Sequence, residues 1–217
     1  MVIAEIKSLA DINEMIKSFR KIFIVGCGEC VSVCLTGGQK QVELLSSALR
    51  ISGRNDKEKR ILKGKTISRQ CEPKFLEQIN KDIEESDAVL SMACGAGVQT
   101  LSEKFRKIPV FPAMDTKFIG VSDEAGNFIE MCSACGDCIL SLTGGICPVT
   151  RCPKGLLNGP CGGSKNGKCE ANPETPCAWL LIYEKMKELN KLEELKNINN
   201  PKDWSKNMRP GKVKAGI

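Results

Sequence analysis

The residues in this chain best suited to chemistry are its thiols. It carries thirteen cysteines and no histidine in 217 residues. Eight of them crowd into residues 132–177: Cys132, Cys135, Cys138, Cys147, Cys152, Cys161, Cys169 and Cys177. Glycine and proline fill the gaps, and large apolar side chains are scarce. A segment of that composition buries little apolar surface, so something other than a hydrophobic core must hold it. Bonds between thiolates and metal supply that energy.

Cys132, Cys135 and Cys138 form C-x2-C-x2-C, and Cys147 follows with Pro148 behind it. In bacterial ferredoxins C-x2-C-x2-C-x3-C-P places its first three thiolates on one [4Fe–4S] cluster. The last gap here is longer, so the fourth ligand stays open. Eight cysteines suffice for two four-cysteine sites. The lack of histidine removes Cys2His2, Cys3His and Rieske centres and leaves all-cysteine coordination. Structural zinc on four cysteines is the rival, because zinc shares these ligands.

Other readings are weaker. Thirteen is an odd number, and residues 1–23 are charged and lack the apolar core of a signal peptide. A disulfide framework is therefore not expected, and a reducing, cytoplasmic setting is. Residues 162–169 (GGSKNGKC) nearly match a phosphate-binding loop, but Cys169 replaces the hydroxyl that would bind Mg²⁺.

The elements that must position these thiols follow from periodicity. Residues 11–19 read as a short amphipathic helix. Strands are expected at 21–25 (KIFIV), near 65–68, at 87–93 (DAVLSMA) and at 108–112. Helices are expected at 39–51, 73–85 and 98–106. Strands alternating with helices predict an α/β fold, with a doubly wound parallel sheet in the amino-terminal half. Residues 117–130 read as a hairpin. Residues 178–195 read as a helix with Trp179, Ile182, Tyr183, Met186, Leu189 and Leu192 along one stripe. The division is thus residues 1–116 as the α/β domain. Residues 117–217 hold the hairpin, a small cysteine-rich cluster domain, a helix and a basic tail.

In parallel sheets, function gathers at the carboxyl ends of strands. Cys27, Cys30, Cys34, Cys71 and Cys94 all fall there. Cys27, Cys30 and Cys34 offer three ligands from one loop. Cys94 is favoured as the fourth, because its glycine-rich loop opens a helix whose N–H groups stabilise anionic sulfur; Cys71 is the alternative. Gly26-Cys27-Gly28 begins like a dinucleotide-binding fingerprint, but Val31 occupies the third glycine position. Cys27-Gly28-Glu29-Cys30 also suits a thioredoxin-like dithiol, a chemistry that has no use for Cys34.

The formal charge is +6. Residues 196–217 carry six basic side chains against Asp203, so the basicity belongs to a tail. With one tyrosine and two tryptophans for base stacking, a nucleic-acid partner is not expected. Trp204 and Met208 are candidates to anchor the tail on another subunit. No apolar run reaches the ~20 residues of a membrane span. No nucleophile and base pair up, so no catalytic residue is assigned.

The run CSACGDCILSLTGGICPVTRCPKGLLNGPCGGSKNGKCE, with Pro176-Cys177-Ala178-Trp179, closely resembles the methylenetetrahydrofolate reductase C-terminal domain family. That domain occurs in the iron–sulfur small subunits of MetVF-type reductases of acetogenic bacteria. GCGECVSVCLTGG and ACGAGVQT resemble the same subunits, so the likeness covers most of residues 21–183. It implies a subunit that carries two or three [4Fe–4S] clusters and relays electrons. Their destination would be the FMN of a MetF-type TIM-barrel partner, which binds the folate and reduces methylene- to methyl-tetrahydrofolate in the Wood–Ljungdahl pathway. The implied electron donor is ferredoxin or an NADH-oxidising subunit. The family's cluster cysteines map onto Cys27, Cys30 and Cys34 and onto the eight from Cys132 to Cys177, with zinc open for one carboxy-terminal site.

Overall fold

A computed structural model of the chain describes residues 1–55, 59–207 and 209–213. It divides into two compact units, Met1–Phe118 and Ile119–Ile217.

The first unit opens with strand β1 (Val2–Ile6) and helix α1 (Leu9–Ile16). Ser8 caps α1, its hydroxyl accepting from Asp11 N at 3.1 Å. Then come β2 (Lys21–Cys27), the single turn α2 (Cys30–Val33), α3 (Gln39–Ser52) and β3 (Ile61–Ile67). A 3₁₀ segment (Pro73–Ile79) leads into α4 (Asn80–Glu84), followed by β4 (Ala88–Met92), α5 (Gly95–Lys104) and β5 (Val110–Pro112).

Four of these strands form a parallel sheet of order β3-β2-β4-β5. Ile22, Phe23, Ile24 and Val25 of β2 and Ala88, Val89 and Leu90 of β4 are buried almost completely. Such runs are apolar on both faces because helices cover both. Ile22 and Ile24 pack with Ile12 and Ile16 of α1 and with Val42, Leu45 and Leu49 of α3. Phe23, Val25 and Val89 pack on the other face with Leu76, Ile79, Ile83 and Leu101. The chain steps from β2 outwards to β3, then crosses back past β2 to β4. Its direction of winding therefore reverses between β2 and β4, the place where such sheets open a crevice. The α/β fold read from the sequence is the fold observed.

Strand β6 (Met114–Ser122) runs through the division between the units, in a sheet of order β1-β6-β7. In the second unit, β7 (Phe128–Cys132) pairs antiparallel with the end of β6, as the hairpin reading required. Asp123 closes the turn: its N–H donates to Asn127 O at 2.9 Å, and its carboxylate accepts from Asn127 N at 2.7 Å. Beyond the hairpin the regular elements are brief. A 3₁₀ turn (Leu140–Leu142) and α6 (Pro148–Arg151) precede the longest helix described in this unit, α7 (Ala178–Glu188). Two further 3₁₀ turns, Leu192–Lys196 and Trp204–Asn207, follow. Around α7 sits a small core: Trp179, Ile182 and Met186 are buried against Ile146, Leu156, Leu192 and Leu195. Trp179 Nε1 donates to Leu156 O at 2.9 Å, which satisfies the one polar atom that this burial would strand.

Two expectations need revision. The stripe over 178–195 predicts one helix, but α7 stops at Glu188. Asn190 adopts a left-handed conformation (φ 55°), and Lys191 N reaches back to Met186 O at 2.8 Å, a helix-terminating pattern that outweighs the apolar stripe. Likewise the expected helix over 73–85 winds as 3₁₀ before it becomes α.

Candidate metal centres

In the first unit the strand ends decide where the sulfurs go. Cys27 is the last residue of β2, the strand between β3 and β4. Cys71 follows β3, and Cys94 caps α5 directly after β4. Three loops therefore meet over β2. The β3 loop is tied down at Gly28, whose N–H donates to Ile67 O at 2.9 Å, and Cys27 Sγ lies 3.7 Å from Ser68 O.

A buried amide fixes the next step of the chain. Gln70 is fully buried; its Nε2 donates to Val25 O at 2.9 Å, and its Oε1 accepts from the Ser91 hydroxyl at 2.6 Å. One side chain thus bridges β2 and β4, and the residue after it is Cys71. The α5 loop closes in from the other side. A Cβ on Gly97 would lie 2.8 Å from Ala93 Cβ and 2.9 Å from Gln70 Cβ, so only glycine lets the two loops approach this closely. The result places Cys27 within electrostatic reach of both Cys71 and Cys94. Burial pushes the Cys27 thiol above its ordinary pKa, opposed by backbone N–H groups of Gln70 and Glu29 aimed at the sulfur.

Cys30 begins the turn α2, and Cys34 caps its carboxyl end. The loop then folds back, with Gly37 O accepting from Cys27 N at 2.8 Å. Cys34 is buried, and its Sγ lies 3.6 Å from Val2 O of β1. Burial raises its pKa too, and Cys30 is the thiol that it senses. Cys27 thus feels the charge of Cys71 and Cys94, and Cys34 that of Cys30.

In the second unit seven of the eight cysteines lie in loops. Cys132 ends β7, and its Sγ accepts from Ala134 N at 3.4 Å. Cys147 and Cys152 flank α6. Cys169 and Cys177 border a small knuckle, where Cys177 N donates to Gly167 O at 2.8 Å and Cys169 N to Thr175 O at 3.0 Å. Cys161 Sγ lies 3.5 Å from Glu170 Oε1, a carboxylate also paired with Lys154. Cys135 stands apart electrostatically. Burial pushes its thiol up, but the Lys202 ammonium, the Asp137 backbone N–H and the Ser133 hydroxyl outweigh that, and the net direction is down.

All thirteen cysteines are free thiols. Among the described residues no three cysteines or carboxylates are disposed, as they stand, to hold a single metal ion. The donors nevertheless suit a thiolate-bound metal group: backbone N–H groups point at Cys27 and Cys132, and the second unit has little core of its own to hold it. Gln70, Gly97 and Lys202 escaped the sequence reading. The only signal for Gln70 was a polar residue beside a cysteine at a strand end, and a lysine in a basic tail looks like any other. The tail's other anchor candidate, Met208, lies outside the described residues, and Trp204 is exposed.

Residues 111–205 match the family model described as "Methylene-tetrahydrofolate reductase C terminal". That stretch, under half of the chain, is what this protein shares with methylenetetrahydrofolate reductases. No curated protein and no solved structure matches the chain. No helix among the described residues is long and apolar enough to cross a membrane.

Proposed function

We propose that this chain is the electron-transfer subunit of a methylenetetrahydrofolate reductase. In this reading it holds two or three [4Fe–4S] clusters in the cytoplasm. It passes electrons from ferredoxin or an NADH-oxidising subunit to the FMN of a MetF-type partner, which reduces 5,10-methylene- to 5-methyl-tetrahydrofolate. The observation that carries the proposal is the family match over the cysteine-rich unit. The thiol arrangement of the first unit supports it independently.

Bound clusters would supply one-electron redox chemistry. The chain's own residues hold and tune. Cys27, Cys71 and Cys94, with Cys30 adjoining, are the ligands proposed for the first unit. The N–H groups of Gln70 and Glu29 stabilise thiolate charge at Cys27. Gln70 keeps the Cys71 loop in place while the charge of the site changes. The ligands proposed for the second unit come from Cys132, Cys135, Cys138, Cys147, Cys152, Cys161, Cys169 and Cys177.

Iron, acid-labile sulfide and zinc per chain on anaerobically purified protein test this reading. About eight to twelve irons with matching sulfide are expected. Zinc with little iron or sulfide would replace it with a non-redox scaffold subunit, which the small core of the second unit would equally require.

A further inference from the structure

The second unit contains a buried cation without a hydrogen-bond partner among the described residues. The cation is the Nζ of Lys202, a residue only 8% exposed. Its one aromatic neighbour is the Trp204 ring, 5.9 Å away and itself exposed, a weak cation–π contact. An ammonium this buried is unfavourable unless an anion faces it.

The surrounding segment is held firmly, so the placement is not that of a loose tail. Lys206 Nζ donates to Asp137 Oδ1 at 2.6 Å, and Asp203 N donates to Asp137 Oδ2 at 3.3 Å. Gly136 has φ 77°, and a Cβ there would lie 2.5 Å from Lys206 O. The tail therefore lies directly on the loop between Cys135 and Cys138. Asp137 also senses Lys202, but its carboxylate is already engaged by Lys206 and Asp203. The Lys202 ammonium is therefore buried in a segment pinned, through Asp203 and Lys206, on the loop that carries Cys135 and Cys138.

We propose that Lys202 is the built-in counter-charge of an iron–sulfur centre ligated by Cys132, Cys135 and Cys138, favouring its reduced and more negative state. This rests on the electron-transfer reading above. Thiolates bound to a cluster give an anionic group, and one electron from an external donor adds a further negative charge with no bond made or broken. A fixed ammonium nearby stabilises the second state more than the first, which raises the reduction potential. Lys202 is thus a tuning residue and not a ligand.

The test is a dithionite redox titration, followed by electron paramagnetic resonance, of the full chain and of K202M and K202R. K202M is expected to keep its iron and sulfide while one signal shifts to a more negative midpoint; the shifted signal is the one that Cys135→Ser removes. K202R is expected to titrate close to the parent. Parent-like titration of K202M would overturn the proposal and leave the electron-transfer reading standing. A parent protein without iron and sulfide would sink both. Should K202M fail to retain iron, K202R and K202Q decide: iron restored by arginine alone supports the counter-charge, and iron restored by both or by neither overturns it.

Discussion

In the first unit Cys27 and Cys94 stand at the ends of two strands whose residues are buried almost without exception, whereas in the second seven of eight cysteines stand in loops of a unit whose small core has three buried side chains. The difference concerns what comes first. Packing of Ile22, Ile24, Val89 and Leu90 builds the first frame with no help from metal, and the thiols are then displayed on its rim. In the second unit apolar burial is small, and in the reading proposed above ligation and folding would be the same event.

Stripping the metal should break this symmetry most visibly. After chelation, proteolysis within residues 132–207 should accelerate at least about tenfold while residues 1–118 stay protected, because structural metal energy is folding energy. Equal protection of both would erase the distinction drawn here. Leu90→Ala probes the other side. It should cost about 2–5 kcal/mol in urea denaturation of the first unit, the usual range for truncating a buried leucine. Its effect on the second unit's iron should be nil.

Ligand changes sharpen the contrast at the strand ends. Cys71→Ser and Cys94→Ser should each lower iron by about four per chain, while Cys34→Ser should leave it unchanged. Iron lost in Cys34→Ser would instead restore the single-loop set of Cys27, Cys30 and Cys34. Gln70→Leu is gentler. It strands the Val25 carbonyl and the Ser91 hydroxyl, costing about 1–3 kcal/mol, and should speed alkylation of Cys71 in the metal-free protein.

The smallest effect is one of pH. Hydrogen bonding to Lys206 and to Asp203 N holds the Asp137 carboxyl below the usual aspartate range. A depressed carboxyl stabilises the fold above its unfolded pKa, and that contribution disappears as pH falls through the folded value. Amide exchange in residues 134–138 should therefore quicken only in that acid window, and Asp137→Asn should remove the pH dependence.

The sequence declared its parallel sheet through KIFIV and DAVLSMA, because strands covered on both faces read as unbroken apolar runs. β1 was hidden, since VIAEI is short and only Ile3 and Ala4 are buried. The cysteines pointed to two candidate sites by type and spacing alone. Spacing could not show that Cys34 Sγ lies 3.6 Å from Val2 O of β1 or that Gln70, the neighbour of Cys71, bridges β2 and β4. Those facts depend on strand order, which is a property of the whole sheet. Lys202 was equally illegible, because burial of a lysine is decided by what folds over it.

Gly97 carries a consequence for how this chain can vary. No sulfur touches it, yet any larger residue there would push against Gln70 and, through it, displace the loop bearing Cys71. The alphabet allowed at position 97 is therefore set in part by Gln70, a residue of another loop. A substitution there could survive only with a partner change at 70 or 93, so these three sites should drift together or not at all.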